Sequence, residues 1–342
     1  MCKATETYLV LRFRSVGNVA MTVPVVASAA ALSPHAQFVV VADKRLGDMF
    51  LQLDNVHFHC ADTENGNRKS VVRLFRELRR NYNITGVIDL QNNHRSRMLD
   101  FLYLCSRVRI TRLGTNYNAQ RRLCRKGYAE SEPMPDEFSR YASVFAKAGL
   151  TTDNSFSALP LNTDADKAVT ERFGKKMGRW IGIAPFAKSK TNMLPYRTTK
   201  EVITHFAAQE DTRVFLFGAG RVECEMLKQW AALSDRIDSV AGVLELAEEL
   251  ELMRRLDFML CMDSANQHLA SLVGLRCVSV WCGTHPYAGF YGWKQRAGDI
   301  IQQPLSCRPC TIHGRSKCKY RNFLCRQFSP VEIIEGLEVR GK

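Results

Sequence analysis

Short apolar runs that break off into Gly, Asn, Asp or Ser alternate with longer helix-like stretches twice along this chain, and that alternation leaves few folds open. Tyr8–Phe13 reads as a strand, and Val19–Leu32 as a helix after a Gly17-Asn18 turn. Phe38–Ala42, a basic helix Arg68–Arg80, Gly86–Leu90, a helix around Ser96–Cys105 and Val108–Leu113 continue the pattern. From Trp180 it starts again with the strand Ile181–Ala184, the helix Thr199–Gln209 and the strand Arg213–Phe217, which ends in Gly218-Ala219-Gly220. The helices Val222–Leu233 and Val243–Leu252 follow. Parallel strands need crossovers long enough to hold a helix, so this order predicts an α/β fold with doubly wound parallel sheets.

At 342 residues the chain is long enough for two such cores. Residues 1–160 and 177–328 are expected to be Rossmann-like domains facing each other, with a C-terminal helix over 329–342 opened by Ser329-Pro330. Asn116 to Leu150 reads as polar helix, and Thr151 to Lys176, which lacks a clear period, as a linker.

The sharpest local unit runs from Asp257 to Trp293. An apolar strand, Phe258 to Met262, stops at Asp263-Ser264, residues suited to cap a helix. Leu269, Ala270, Leu272 and Val273 then recur at helical spacing, Gly274 closes the helix, and Arg276 to Trp281 forms the next strand. Asp263, Ser264 and His268 thus fall at the carboxyl edge of a parallel sheet, where unbonded helix N–H groups attract phosphate. An ordinary strand–helix–strand unit with a capping Asp and a structural His is the plainer reading of the same residues.

Hydrophobic content of 46% and charged content of 24% are ordinary for a globular protein. Val19–Leu32 is too short, and too interrupted by Thr22, Pro24 and Ser28, to span a bilayer. The opening MCKATETYLVLRF lacks the apolar core of a signal peptide, so a cytoplasmic location with mostly reduced cysteines is expected. The net charge of +14 is unevenly placed: fifteen Lys and Arg between Arg68 and Lys126 face three acids. Such uniform sign predicts an anionic partner, with nucleic acid, an anionic membrane surface and a phosphorylated glycolipid as the open choices. Near the end, Cys307, Cys310, Cys318 and Cys325 could hold one structural zinc or remain thiols. Arg308, Arg315, Lys317, Lys319, Arg321 and Arg326 in that segment would suit phosphate or lipid headgroups. A nucleic-acid module is disfavoured because no stripe of base-stacking aromatics accompanies the charge.

Four ordered blocks resemble glycosyltransferase family 9, the heptosyltransferases of lipopolysaccharide synthesis: LRFRSVGNVAMTVPVV (Leu11–Val26), IGIAPFAKSKTNMLP (Ile181–Pro195), the Asp263–Gly274 helix and GTHPYAGFYGW (Gly283–Trp293). The fourth block, the CRPC segment and the NRKSVVRLFRELRR helix are most similar to the Bacteroidetes branch. The resemblance implies a GT-B fold, two Rossmann-like domains facing across a cleft, and inverting sugar transfer that requires no catalytic metal or other cofactor. The second domain would hold the nucleotide-diphospho-sugar donor, which the family suggests is ADP-heptose. The first would hold a phosphorylated lipid A–core acceptor at the inner face of the anionic membrane, with Arg73, Arg76, Arg95 and Arg97 on its surface and no nucleic acid as partner.

Carried over by position, the resemblance assigns Asp263, Ser264, Ala265 and His268 to the diphosphate and Glu223 to the ribose. Lys190 and Thr191 would meet the phosphates, while Gly17, Gly283, Thr284 and His285 would line the sugar end. Two positions depart from the family pattern. Asn18 stands where the family has its general-base Asp, and an amide cannot take a proton near neutral pH. Asn192 stands where the family has a Lys, leaving that charge to Lys190 or Lys188. Asp43, Asp89 and His94 are the other base candidates. A weak enzyme, or a catalytically silent nucleotide-sugar-binding homologue, is the alternative that Asn18 raises.

Overall fold

The computed structural model describes residues 6–61, 67–314, 318 and 320–338. Contacts divide the chain into two units, one of residues 1–115 and 136–160, the other of residues 116–135 and 161–342. The stretch 116–135 therefore packs with the second unit, although it lies inside the 1–160 span that the sequence reading gave to the first. Both units are α/β with one all-parallel sheet each, the GT-B class of architecture expected from the sequence.

In the first unit, β1 (Glu6–Leu11) leads to α1 (Val16–Ala20), α2 (Val23–Leu32) and β2 (Ala36–Ala42). β3 (Val56–Cys60), α3 (Arg68–Asn81), β4 (Gly86–Asp89), α4 (His94–Cys105) and β5 (Arg109–Arg112) follow, giving the strand order β3-β2-β1-β4-β5. The single helix expected over Val19–Leu32 is two, broken at Met21-Thr22, where Thr22 Oγ donates to the Val19 carbonyl and Pro24 lies in the next first turn. α3 buries Val71, Leu74 and Leu78 along one face and turns Arg73 and Arg76 outward. Asn93 and Ser96 form a reciprocal capping box at the start of α4, which packs against α3. α5 (Tyr117–Lys126) comes next in the chain, and α6 (Glu137–Lys147) then packs against α2 and β5.

The second unit adds α7 (Thr163–Phe173), β6 (Arg179–Ala184), α8 (Tyr196–Ala207), β7 (Thr212–Leu216), α9 (Arg221–Ala231) and β8 (Ile237–Ser239). It continues with α10 (Leu246–Arg255), β9 (Phe258–Met262), α11 (Ala265–Leu272), β10 (Cys277–Trp281), β11 (Ile300–Gln302) and α12 (Pro330–Glu338). Its strand order is β11-β10-β9-β6-β7-β8. The segment read as a linker contains α7, which buries only Ala165 and Val169, too thin a stripe to show as a period. Arg255 on α10 anchors it, donating to Asp166 at 2.5 Å and to Thr170 Oγ. Among the described residues no helix is long and apolar enough to cross a membrane.

Candidate functional site

Four consecutive strands of the second sheet, β7, β6, β9 and β10, end in the segments that the sequence singled out. β9 is wholly buried and delivers Asp263 to the sheet edge, where Ser264 precedes the first turn of α11. The Asp263 carboxylate is a junction. It accepts from Thr284 Oγ at 2.6 Å, from Gln267 Nε2 at 3.2 Å and from Asn192 Nδ2 at 3.5 Å. Asp263 thereby ties the loops after β6 and β10 to the start of α11, and burial pushes its carboxyl up to about 6.

Ser264 caps α11 in position but not by hydrogen bond, since its Oγ is buried without a partner among the described residues. His268, one turn along, is buried, and its Nδ1 is likewise unpartnered. Burial lowers its pKa to about 4, so the ring is neutral at physiological pH. Two buried polar atoms without partners beside an open helix N-terminus are what an oxygen-rich ligand would satisfy.

The loop after β6 forms a 3-10 turn over Lys190–Asn192, with Ser189 Oγ 2.9 Å from Thr191 Oγ. Lys188 and Lys190 are exposed, and neither forms an ion pair with a described residue. Asn192 is buried against Gly314, where even a Cβ would come within 2.7 Å of the amide oxygen. After β7, Glu223 accepts from the Ala219 N–H at 2.9 Å, closing the Gly218–Gly220 turn, and burial raises its pKa.

After β10, the Gly283 N–H donates to the Thr191 carbonyl and Thr284 is fully buried. His285 Nδ1 accepts the Tyr287 N–H at 3.1 Å, which fixes the neutral tautomer with the proton on Nε2. Beneath this loop lies a residue whose role the sequence did not disclose. Arg308, read there as a surface cation, is wholly buried and donates to the carbonyls of Trp281, Cys282, Thr284 and Gln303. Arg326 is also engaged, donating to the Met193 carbonyl, while Arg315, Lys317 and Lys319 lie outside the described residues. Gln267 was missed as well, although its position four residues after Asp263 on a helix could have pointed to it.

The four cysteines named from the sequence lie near one another: after burial, the neighbouring Cys307 and Cys318 thiols add to the rise of the Cys310 and Cys325 pKa values. Among the described residues no three His, Cys, Asp or Glu side chains are placed to share a metal. Cys310 Sγ turns to the Cys307 carbonyl and Cys318 Sγ to Asn322 Oδ1.

In the first unit, Asn18 is half-buried on α1, directly after the buried Gly17. Ser15, which precedes this turn, has φ 74° and ψ 108°, a costly conformation for a residue with a Cβ. Asp89 is spent: it accepts from the N–H groups of Gln91 and Asn92 and from Ser96 Oγ, with Arg112 3.4 Å away. Asp43 caps the turn over Lys44–Met49, and His94 is exposed at the start of α4. Arg97 donates to Asn92 Oδ1, and Arg95 lies 5.0 Å over the Phe13 ring. The basic window does not stay whole, because Arg121, Arg122, Arg125 and Lys126 ride on α5 in the second unit.

The Asp263 environment makes a testable demand on stability. Its folded pKa lies above the ordinary value of 3.8, so the folded state binds the proton more tightly and stability falls as pH rises from about 4 to about 6. Denaturation melts across that window should show wild type losing about 2 kcal/mol relative to Asp263→Asn, which cannot ionise but still accepts from Thr284. A constant difference would mean that the carboxyl is not held as described.

The family model for glycosyltransferase family 9 (heptosyltransferase) matches residues 71–321. No curated protein matches the sequence. A family 9 glycosyltransferase from Veillonella parvula superposes with TM-score 0.74 at 17% identity, covering 98% of this chain and 97% of that one. E. coli ADP-heptose lps heptosyltransferase II gives 0.70 at 16% identity over 98% of both chains. E. coli heptosyltransferase WaaC, solved with ADP-2-deoxy-2-fluoro heptose, gives 0.68 at 14% identity over 98% of this chain and 99% of that one. At these identities the structural likeness speaks for the fold.

Proposed function

The chain belongs to glycosyltransferase family 9, and we propose that it transfers a heptosyl group from ADP-heptose to a phosphorylated lipid A–core glycolipid, inverting the anomeric carbon. The observation that carries this reading is the order of groups along the second sheet's carboxyl edge. From β7 to β10 they run Glu223, then Lys190 and Thr191, then Asp263, Ser264 and His268, then Thr284 and His285. That sequence suits a nucleoside, a diphosphate and a sugar laid side by side across the strands. The α11 N-terminus and the Lys190 charge would stabilise the diphosphate as the anomeric C–O bond breaks and ADP leaves. The E. coli relative holding an ADP-heptose analogue supports the same donor class.

Arg73 and Arg76 on α3, with Arg95 and Arg97 on α4, would meet acceptor phosphates at the cytoplasmic face of the inner membrane. The attacking hydroxyl must lose a proton, and Asn18 cannot take it. That favours a second reading, a donor-binding homologue without turnover. Chromatographic detection of ADP after incubation with ADP-heptose and a phosphorylated glycolipid separates the two. Acceptor-dependent ADP release supports transfer. Tight donor binding without release supports the silent homologue, and neither binding nor release would sink both.

A further inference from the structure

Residues 116–135 leave the first unit after Thr115, return to it at Asp136, and pack on the second unit around His285. α5 ends at the buried Gly127, whose φ of 79° and close approach to Ser306 exclude a side chain: a Cβ would meet the Ser306 carbonyl oxygen at 2.1 Å. That contact puts the Tyr128 N–H 2.9 Å from the Arg308 carbonyl, and the Arg308 guanidinium in turn holds the Trp281–Thr284 carbonyls. The Tyr128 ring then stacks on the His285 ring at 4.2 Å and 9°. Tyr287 packs edge-on against both rings, 4.6 Å from His285 and 6.1 Å from Tyr128, its N–H on His285 Nδ1 and its carbonyl accepting the Met134 N–H.

The imidazole is thus fixed in plane, in tilt and in tautomer, and no described residue accepts from its Nε2–H. Freezing a buried ring this thoroughly, with its remaining donor unspent, has a use if a ligand oxygen meets it. Resting on the donor reading above, we propose that Tyr128 is a positioning residue which aims His285 Nε2–H at a hydroxyl oxygen of the donor sugar. A segment that departs from the acceptor half of the sequence would in this way set sugar recognition in the donor unit. The topology favours the sugar over the phosphates because β10, which carries His285, lies beyond β9 and its diphosphate-type helix.

The test is titration of the full chain with ADP and with ADP-heptose, using wild type, Tyr128→Phe, Tyr128→Leu and His285→Phe, which keeps a ring but has no N–H. ADP affinity should be unchanged in all four proteins, which also certifies their fold. ADP-heptose affinity should fall about tenfold in Tyr128→Leu and His285→Phe, the scale of one lost hydrogen bond, and be retained in Tyr128→Phe. Equal loss for both ligands, or unchanged ADP-heptose affinity in Tyr128→Leu, overturns the proposal. If wild type binds neither ligand, the donor reading fails, and this inference fails with it.

Discussion

Asn18→Asp is expected to raise acceptor-dependent turnover by about 10²–10⁴-fold, the usual contribution of a positioned general base. The substitution changes one atom and adds no volume, so α1 and the Gly17 turn should be kept. Among the described residues, the other base candidates read from the sequence are no ready substitutes. Asp89 is buried and engaged by three donors besides Arg112, Asp43 is used as a cap, and His94 projects from the exposed start of α4. Ser15, ahead of Asn18, keeps a backbone conformation that is costly for a residue with a Cβ, and the substitution leaves it unchanged. Donor affinity should not move, because the substitution leaves Asp263, Ser264, His268 and Lys190, the groups assigned to the diphosphate, untouched. Equal or lower turnover in Asn18→Asp, measured as ADP released with donor and acceptor saturating, would show that the proton leaves by another route.

Arg308→Met should destabilise the second unit by about 3–5 kcal/mol, read from its denaturation midpoint, since truncating a fully engaged buried cation orphans the groups it satisfied. The carbonyls of Trp281, Cys282 and Thr284 would lose this donor inside the fold, while the Gln303 carbonyl keeps the Leu305 N–H. Burial already depresses the Arg308 pKa, so the charge is tolerated only because these dipoles surround it. Methionine replaces the apolar stem but no N–H. A loss under about 1 kcal/mol would mean that the loop after β10 is held by other contacts.

The central strands were legible because β1, β2, β4, β6, β7, β9 and β10 are buried on both faces and read as unbroken apolar runs. β3, β8 and β11 were not, since their short, part-exposed sequences VHFHC, IDS and IIQ carry no such signal, whereas the edge strand β5 was read within Val108–Leu113. Asp263 and His268 could be read from a strand that stops at a helix start. Their partners could not: Thr284 and Asn192 reach Asp263 only through parallel pairing of β9 with β10 and β6. Composition also misplaced Arg308 and α5, because a basic residue in a basic segment looks exposed until the carbonyls around it are known. Gly127 passed unnoticed inside a stretch read as helix, and it is tertiary contact with Ser306 that shows the turn there.

The most direct measurement is a calorimetric titration of ADP-heptose into wild type and His268→Ala. Saturable one-to-one binding, displaced by ADP and weakened about tenfold or more in the variant, is the predicted result for a neutral imidazole donating to the diphosphate. Unchanged affinity in His268→Ala, or no binding by wild type, would contradict the assignment of the α11 N-terminus as the donor site.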